Sequence, residues 1–485
     1  MMLLLRRPFH VSWMIALVCV GICVGIVVAP LLQWTWISDV TWFLVGMVLI
    51  LSACIYQKVV WITSAVVGGM ILGLWRGTIA DSAYVLYEPL IGSAVTITGT
   101  VSEDSDTDKN ANIVLRLEDV TYNGRSLPAM IWISLDTKTA DVQRSDRVEV
   151  SAVMSEGFGT FAASMYRAKL VTVQKPVPPD AALQVRNWFA DTIRTAIPSP
   201  ESSLGIGYLV GQRRGLPEDL DAALKIAGLT HIVVASGYNL TILVRFARRS
   251  FGKISKYLAE LMSGGLIVAF IAVTGMSPSM SRAGLVAGLS LLAWYYGRRV
   301  HPLVLLPFAA AITILINPSY AWGDVGWQLS FMAFAGVMLL APLMQAFYFG
   351  EKKPGTVRQI LGETIAATIM TLPILLYTFG SMSNVAVIAN LLILPLVPLA
   401  MLLTFIAGVG AAVFPLMAAV FGAPAYALLS YMTQTAHFFA NLPWATTELS
   451  ISNIGVVVLY AAIVSWMFYM KWRTKLDLTR INLVE

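Results

Sequence analysis

The sequence predicts a polytopic α-helical membrane protein of about twelve spans, with an extracytoplasmic β-barrel of the OB kind inserted between the third span and the fourth. Three observations predict it. The 485 residues are 57% apolar and only 12% charged, with a mean hydropathy of +0.73, far from the composition of a soluble chain. Apolar runs recur at 11–32, 40–57, 59–80, 229–247, 260–276, 281–297, 301–317, 326–349, 358–379, 384–413, 416–440 and 452–472. Each is long enough to cross about 30 Å of hydrocarbon, some of them tilted or broken. The pattern stops for long only once, from about Asp81 to Ser203.

Charge placement orients the spans. Arg6 and Arg7 precede the first span and Lys58 lies between the second and third. Arg245, Arg248, Arg249, Lys253 and Lys256 follow the fourth, Arg298 and Arg299 the sixth, and Lys471, Arg473 and Lys475 the last. The alternate short loops around 33–39, 277–280, 318–325, 380–383 and 441–451 contain no Lys or Arg, which predicts cytoplasmic termini and an outward 81–228 segment. The first apolar run is too long for a signal-peptide core and is expected to remain as a span. Cys19, Cys23 and Cys54 all fall in the first two spans, with neither metal-ligand spacing nor a disulfide framework for the outer domain. The expected organisation is membrane helices over 1–80, the outer domain over 81–175, interfacial linker helices over 176–228 and a second membrane domain over 229–485.

Within the interruption, Val95, Ile97 and Val101 alternate with polar or small residues, as do Ile113, Leu115 and Leu117. Ile131, Ile133 and Leu135 follow the turn pair Asn123-Gly124, and Val148 with Val150 and Leu170 to Val173 complete five strands. Five short strands in this length suit a small, partly open barrel. Residues 81–175 hold thirteen Asp or Glu against nine Lys or Arg, a poor balance for a strong polyanion binder. Glu103 to Asp108 lacks the glycine and distal glutamate of an EF-hand and reads as a hairpin tip.

Pro176, Pro178 and Pro179 end the domain, and Leu183 to Ile197 reads as an amphipathic helix. Val185, Trp188, Phe189, Ile193 and Ile197 form its expected apolar face, with Arg186, Asn187, Asp191 and Arg194 opposite. Arg213 and Arg214 follow on the outer side, against the positive-inside trend. Headgroup contact and a functional role are both open for them.

The fourth span is spoiled by its own polar residues. His231, Ser236 and Asn239 lie in Gly228-Leu-Thr-His-Ile-Val-Val-Ala-Ser-Gly-Tyr-Asn-Leu240, where lipid offers no hydrogen-bond partners. At roughly 100° per residue, 231 and 239 lie about 80° apart and 236 points elsewhere, so only tertiary packing can unite them. Inter-helical glue and a functional site both fit. Further on, Arg282 sits in Thr274-Gly-Met-Ser-Pro-Ser-Met-Ser-Arg-Ala283. Asp324 and Gln328 share one helical face in Asp324-Val-Gly-Trp-Gln-Leu-Ser-Phe331, and Asn390 precedes Pro395 and Pro398, which break the span at 384–413 into a kinked or re-entrant pair. An ion in lipid costs about 2.5–3.5 kcal/mol on insertion scales, so Arg282 and Asp324 are expected to meet each other, another partner or water.

These blocks, with Leu209-Val-Gly-Gln-Arg-Arg-Gly-Leu216 before them and Phe379-Gly380 to Pro398 after, resemble the ComEC family of competence proteins in order and content. The resemblance implies an inner-membrane conduit that passes single-stranded DNA across the cytoplasmic membrane during natural transformation. It implies an extracytoplasmic DNA receptor and a cytosolic translocation motor as partners, and no cofactor. On that reading Arg213, Arg214, His231, Ser236, Tyr238, Asn239, Arg282 and Gln328 are candidates for the DNA path, with the 245–256 cations near its exit. Asp324 and Asn390 are expected to be structural. Two departures stand out. The family's second histidine, in a Ser-Gly-Leu-His run, is replaced by Asn239. The metallo-β-lactamase-like domain of many members has no counterpart here, and His10, His231, His301 and His437 form no ligand cluster. Strand degradation is therefore expected of a separate nuclease, and this chain is expected not to be an enzyme. No Gly-x-x-x-x-Gly-Lys-Ser/Thr loop supplies nucleotide hydrolysis.

Two other classes compete. A secondary transporter of a small anion would explain the broken helices. An intramembrane hydrolase or acyltransferase would use Ser236 and His231, although a pair five residues apart on a helix is poorly placed for proton transfer.

Overall fold

The computed structural model describes residues 10–32, 34–108, 112–137, 139–212, 215–233, 237–275, 278–297, 301–350 and 355–476. Helices α1 (Val11–Leu32), α2 (Val40–Tyr56) and α3 (Ile62–Val85) precede the strands. The strands are β1 (Ala94–Val101), β2 (Asp106–Thr107), β3 (Ile113–Tyr122), β4 (Arg125–Leu127), β5 (Met130–Leu135), β6 (Arg147–Glu156) and β7 (Phe161–Gln174). Helices α4 (Ala181–Ala196), α5 (Glu201–Val210), α6 (Glu218–Ile226), α7 (Thr230–Val233) and α8 (Gly237–Phe251) follow. Then come α9 (Lys256–Thr274), α10 (Pro278–Tyr295), α11 (Pro302–Ile316), α12 (Ser319–Gly323), α13 (Val325–Ala335) and α14 (Ala341–Phe349). The chain continues through α15 (Thr356–Phe379), β8 (Ser381–Ser383), α16 (Ala386–Ile393), α17 (Val397–Val413), α18 (Ala418–Ala440), β9 (Thr446–Glu448) and α19 (Asn453–Thr474).

Among the described residues, 8 helical segments are long and apolar enough to cross a membrane, and Val40–Tyr56 and Leu303–Ile316 are shorter apolar helices. With its barrel, this is a membrane protein of the expected class. Of the remaining expected spans, 229–247 is represented by α7 and α8, with 234–236 outside the described residues, and 281–297 by α10. The chain divides into two compact units.

One unit comprises Met1–Asp180 with Val300–Gln328. Glycines hold its membrane part together. A Cβ on Gly25 of α1 would lie 2.2 Å from the Met70 carbonyl oxygen, and one on Gly73 of α3 would lie 2.3 Å from that of Ile22. The two helices touch backbone to backbone, the small-residue packing that brings helices together where lipid removes the hydrophobic drive. Gly21 meets Val66 and Met70 while Gly25 meets Met70 and Leu74, so α1 and α3 run parallel and α2 is the return pass. Arg76, within α3, was not singled out in the sequence. Its Nε and Nη2 donate to the carbonyls of Leu315 and Ile316 at 2.9 Å each, the last carbonyls of α11, which lack intrahelical donors. A guanidinium in an apolar span demands such a partner.

The strands of this unit form the expected barrel. β1 pairs with β3 on one side and β6 on the other, β6 with β7, β7 with β5, and β5 with β3, so five strands close on themselves. All of these pairs are antiparallel except β5 with β7. Closure corrects the expectation of a partly open barrel; it comes from the β1–β3 pairing of Thr98, Thr100 and Val101 with Thr121, Glu118 and Leu117. Ile97, Leu115, Leu117, Ile131, Ile133, Leu135, Val148 and Val150 all point inward at 0% exposure, as their alternation predicted. β7 starts at Phe161 rather than near Leu170, because its inward residues there are Ala163, Met165 and Ala168 and the left-handed Arg167 (φ 51°) shifts the alternation. The 103–108 segment is tied into the barrel: Glu103 pairs with Arg116, and Asp108 accepts from Ser134 at 2.9 Å.

The other unit comprises Ala181–Arg299 with Leu329–Glu485. Its core joins α4, α5 and α6 to α16, α17 and α18. The α4 helix buries Leu183, Arg186, Ala190, Ile193 and Ile197, while Val185 and Trp188 stay exposed. Of the expected apolar face, Ile193 and Ile197 are buried and Phe189 packs against the core, whereas Val185 and Trp188 lie outside it. The partner helices offer glycines at Gly408, which meets Phe189, and Gly422, which meets the Ala196 carbonyl, so contact follows the narrow stripe 183-186-190-193-197 and leaves Trp188 outside. α5 is buried along nearly its whole length. The break expected at Pro395 and Pro398 is present as a single 3₁₀ turn at Leu394–Leu396, which joins α16 to α17 within one helical segment, Ala386–Val413.

Candidate functional site

The polar residues of the second unit gather where helices begin or break. Asn239, in the first turn of α8, is fully buried, and its Nδ2 donates to the Tyr208 carbonyl near the end of α5 at 3.0 Å. That carbonyl lies in the last turn of its helix, where intrahelical donors run out. Tyr238, beside it, is exposed and donates from Oη to the Leu394 carbonyl at 3.3 Å, at the α16–α17 break. Two adjacent side chains thus tie the start of α8 to two other helix ends.

The start of α10 joins the same place. A Cβ on Gly237 would lie 3.0 Å from that of Ala283, so the first residue of α8 meets the second turn of α10. Arg282, next to Ala283, is buried at 3% exposure, with its guanidinium carbon 5.6 Å from the centre of the Phe331 ring. A cation over an aromatic face is stabilised by the ring quadrupole, more so away from water. The buried guanidinium of Arg282 places a positive charge in this region, away from water.

Asn390, in α16, is buried at 4% exposure, and its Oδ1 accepts no hydrogen bond. Ser263 of α9 and Thr404 of α17 are fully buried, with hydroxyls that likewise lack a partner. His231 lies exposed on α7. Ser236, Arg213 and Arg214 fall outside the described residues. The flanks of the arginine pair are anchored: Gln212 accepts from Arg194 at 3.2 Å, and Ser203 donates to the Gly215 carbonyl at 2.7 Å.

Asp324 and Gln328 belong to the other unit. Asp324 is the N-cap of α13, its Oδ1 accepting from the Trp327 backbone N–H at 2.6 Å. Gln328 turns back and donates to the Ala321 and Trp322 carbonyls at 3.1 and 3.4 Å, at the end of α12. The two were expected on one helical face. Instead Asp324 precedes the helix, and each side chain closes a different helix end. Trp322 packs into the apolar cluster of this unit, and Trp327 donates from its indole to Thr313 Oγ1 at 2.9 Å.

The sequence reading named Asn239 and Arg282 but missed their partners, Tyr208 and Phe331. Tyr208 directly precedes the Leu209 block, and its role is carried by a backbone carbonyl, which no side-chain pattern reveals. Arg186 was placed on an outer face and is buried at 3% exposure.

The region that holds this site also carries the sequence relationship. A family profile described as competence protein matches residues 208–474, which is 267 of the 485 residues. The chain belongs to the competence protein family. ComE operon protein 3 of Bacillus subtilis (strain 168) is 24% identical to this competence protein over 230 residues, covering 47% of the chain and 29% of the relative. The matched stretch is therefore under a third of that relative's own length. No solved structure matches the chain.

Proposed function

We propose that this competence protein takes part in DNA uptake as the conduit for single-stranded DNA across the cytoplasmic membrane during transformation. The observation that carries the reading is the meeting of α5, α8, α10 and the α16–α17 break around Tyr208, Tyr238, Asn239 and Arg282, inside the stretch matched by the family. A phosphate chain cannot cross hydrocarbon without a protein-lined polar path. A few donors and one buried cation suit conduction better than a dense basic lining, because a passing strand must also leave. Charge supports the assignment: residues 176–485 carry twenty Lys or Arg against thirteen Asp or Glu, whereas the barrel region is acidic.

About twelve crossings, cytoplasmic termini and an outward barrel complete the proposal. The parallel course of α1 and α3 supports it, since three passes carry the barrel to the side opposite the N-terminus. The conduit is not itself an enzyme. A surface DNA receptor, a separate nuclease and a cytosolic motor are its expected partners. Broken helices also suit a small-anion transporter, and one experiment separates the two readings. A deletion strain given labelled double- and single-stranded DNA should keep DNA bound outside and lose its arrival in the cytosol. Normal import by that strain overturns the proposal. The orientation is tested with an impermeant thiol reagent on intact cells, using Ser126→Cys on the exposed strand β4 and Arg473→Cys at the end of α19. Position 126 should react and 473 should not; the reverse pattern inverts the topology.

A further inference from the structure

α9 presents an uncovered flank. Tyr257, Leu261 and Val268 are 72%, 72% and 69% exposed, and a Cβ on Gly264 or Gly265 would meet nothing within 4 Å. On a helix of membrane length, an apolar flank of this kind faces lipid. At the N-terminal end of that flank the structure gathers cations on aromatic rings. The guanidinium carbon of Arg248 lies 4.3 Å from the centre of the Trp294 ring, and Lys256 Nζ lies 5.5 Å from the same ring. Lys256 also donates to the Tyr295 carbonyl and lies 5.5 Å from the centre of that ring.

Two positive groups held at one indole repel each other, and the chain supplies little to offset them. Residues 245–260 contain five Lys or Arg and one acid, Glu260. Glu260 stands one turn along α9 from Lys256 and is close enough to attract both Arg248 and Lys256, although its Oε2 atom accepts no hydrogen bond. A guanidinium lying on an aromatic face keeps its edge N–H groups free for a planar or tetrahedral oxyanion, and an ammonium beside it adds a point charge. With Glu260 against two cations the cluster keeps a net positive charge, which a further anion would balance.

We propose that Arg248 and Lys256, framed by Trp294 and Tyr257, hold the phosphate of an anionic phospholipid whose acyl chains lie along the exposed flank of α9. This rests on α9 crossing the bilayer. It separates Arg248 and Lys256 from the 245–256 cations assigned from sequence to the path exit. The occupant is a lipid rather than a passing strand because the cluster is continuous with an apolar surface that a strand has no use for. Two cations near a membrane surface each favour an anionic headgroup by about fivefold, so losing both should weaken retention about thirtyfold.

The full-length protein in nanodiscs of mixed phosphatidylcholine and phosphatidylglycerol provides the test. Native mass spectrometry of the released protein should show phosphatidylglycerol retained over phosphatidylcholine. That preference should fall about thirtyfold in R248Q/K256Q and persist in K471Q/R473Q, which removes two cations from the end of α19. Should R248Q/K256Q fail to fold, brominated phosphatidylglycerol should quench indole fluorescence more than brominated phosphatidylcholine does, and the excess should vanish in W294F. Equal retention of the two lipids, or an unchanged preference in folded R248Q/K256Q, overturns the proposal. So does an oligothymidylate that binds in purely phosphatidylcholine discs and is lost in R248Q/K256Q, which would assign the cluster to nucleic acid. Failure of import in the deletion strain bears only on the conduit reading and leaves this result untouched.

Discussion

The two units use small and polar residues for opposite ends. In the unit built on Met1–Asp180, glycines of α1 and α3 bring backbones into contact, Arg76 closes the end of α11, and Asp324 and Gln328 close the ends around α12 and α13. Every one of these polar groups meets a backbone partner. In the unit that carries most of the family match, Asn390, Ser263 and Thr404 are buried with side-chain oxygens that accept or donate nothing within the protein. A buried polar atom without a partner costs about 1–3 kcal/mol, and natural proteins concentrate such conflicts at functional sites. The contrast is one of degree, since Trp75 Nε1 in the first unit is also buried without a partner.

The largest expected effect breaks the scaffold. Gly25→Leu or Gly73→Leu drives a side chain into the opposing backbone, at positions where even a Cβ would lie within 2.3 Å of a carbonyl oxygen. Overpacking of a core typically costs about 1–3 kcal/mol, and rigid backbone on both sides puts these near or above the top of that range. Folded, detergent-extractable protein should fall by tenfold or more. Gly264→Leu, on the open flank of α9, is the matched control and should leave the yield close to wild type. Equal yields for all three substitutions would show that the α1–α3 contact is not what holds this unit together.

Legibility followed the same division. The barrel was readable because its inward positions alternate with period two, from Val95 to Val150, and burial follows that alternation except at Val114 and Ser134, which are buried between inward positions. Apolar length likewise announced the membrane helices. The α4 face was legible in part: Phe189, Ile193 and Ile197 face the core as their spacing predicts, while Arg186 is buried beside them and Val185 and Trp188 stay outside. In lipid the buried side is marked by what the neighbour can accommodate, and Gly408 and Gly422 lie more than two hundred residues away in sequence. At the site, Asn239 and Arg282 stood out because the bilayer makes such residues expensive. Their partners stayed hidden: one is a carbonyl, and the other is an aromatic ring of a kind abundant in any membrane chain. Arg76 could have been found by the same cost argument that found Arg282.

A smaller effect on folding, and a larger one on transport, is expected at Arg282. Arg282→Ala should lower DNA import about tenfold or more when normalised to folded protein, and Arg282→Lys should retain more import, since a point charge still meets phosphate. Asp324 offers the contrast. Asp324→Ala removes an N-cap, worth about 0.5–2 kcal/mol, and should lower thermal stability with import per folded molecule nearly unchanged. The double variant decides between path and pair. If it regains the folding and import lost in the single variants, the two charges act as a structural pair; additive losses keep Arg282 in the path.

The finest test compares two asparagines within the site unit. Asn239 donates to Tyr208, so Asn239→Ala leaves a buried carbonyl without that donor and should destabilise by about 1–3 kcal/mol. Asn390 is buried with an Oδ1 that nothing satisfies. Asn390→Leu is similar in volume and removes the unsatisfied atom, so thermal stability should hold or rise slightly. Import per folded molecule is the separate readout. If Asn390 is only a structural residue, Asn390→Leu should import like wild type. If its free oxygen serves passing DNA, import should fall severalfold in a protein at least as stable as the parent. A more stable variant that imports less would place Asn390 beside Arg282 in the path, and a destabilised one would show that its carbonyl is engaged within the fold after all.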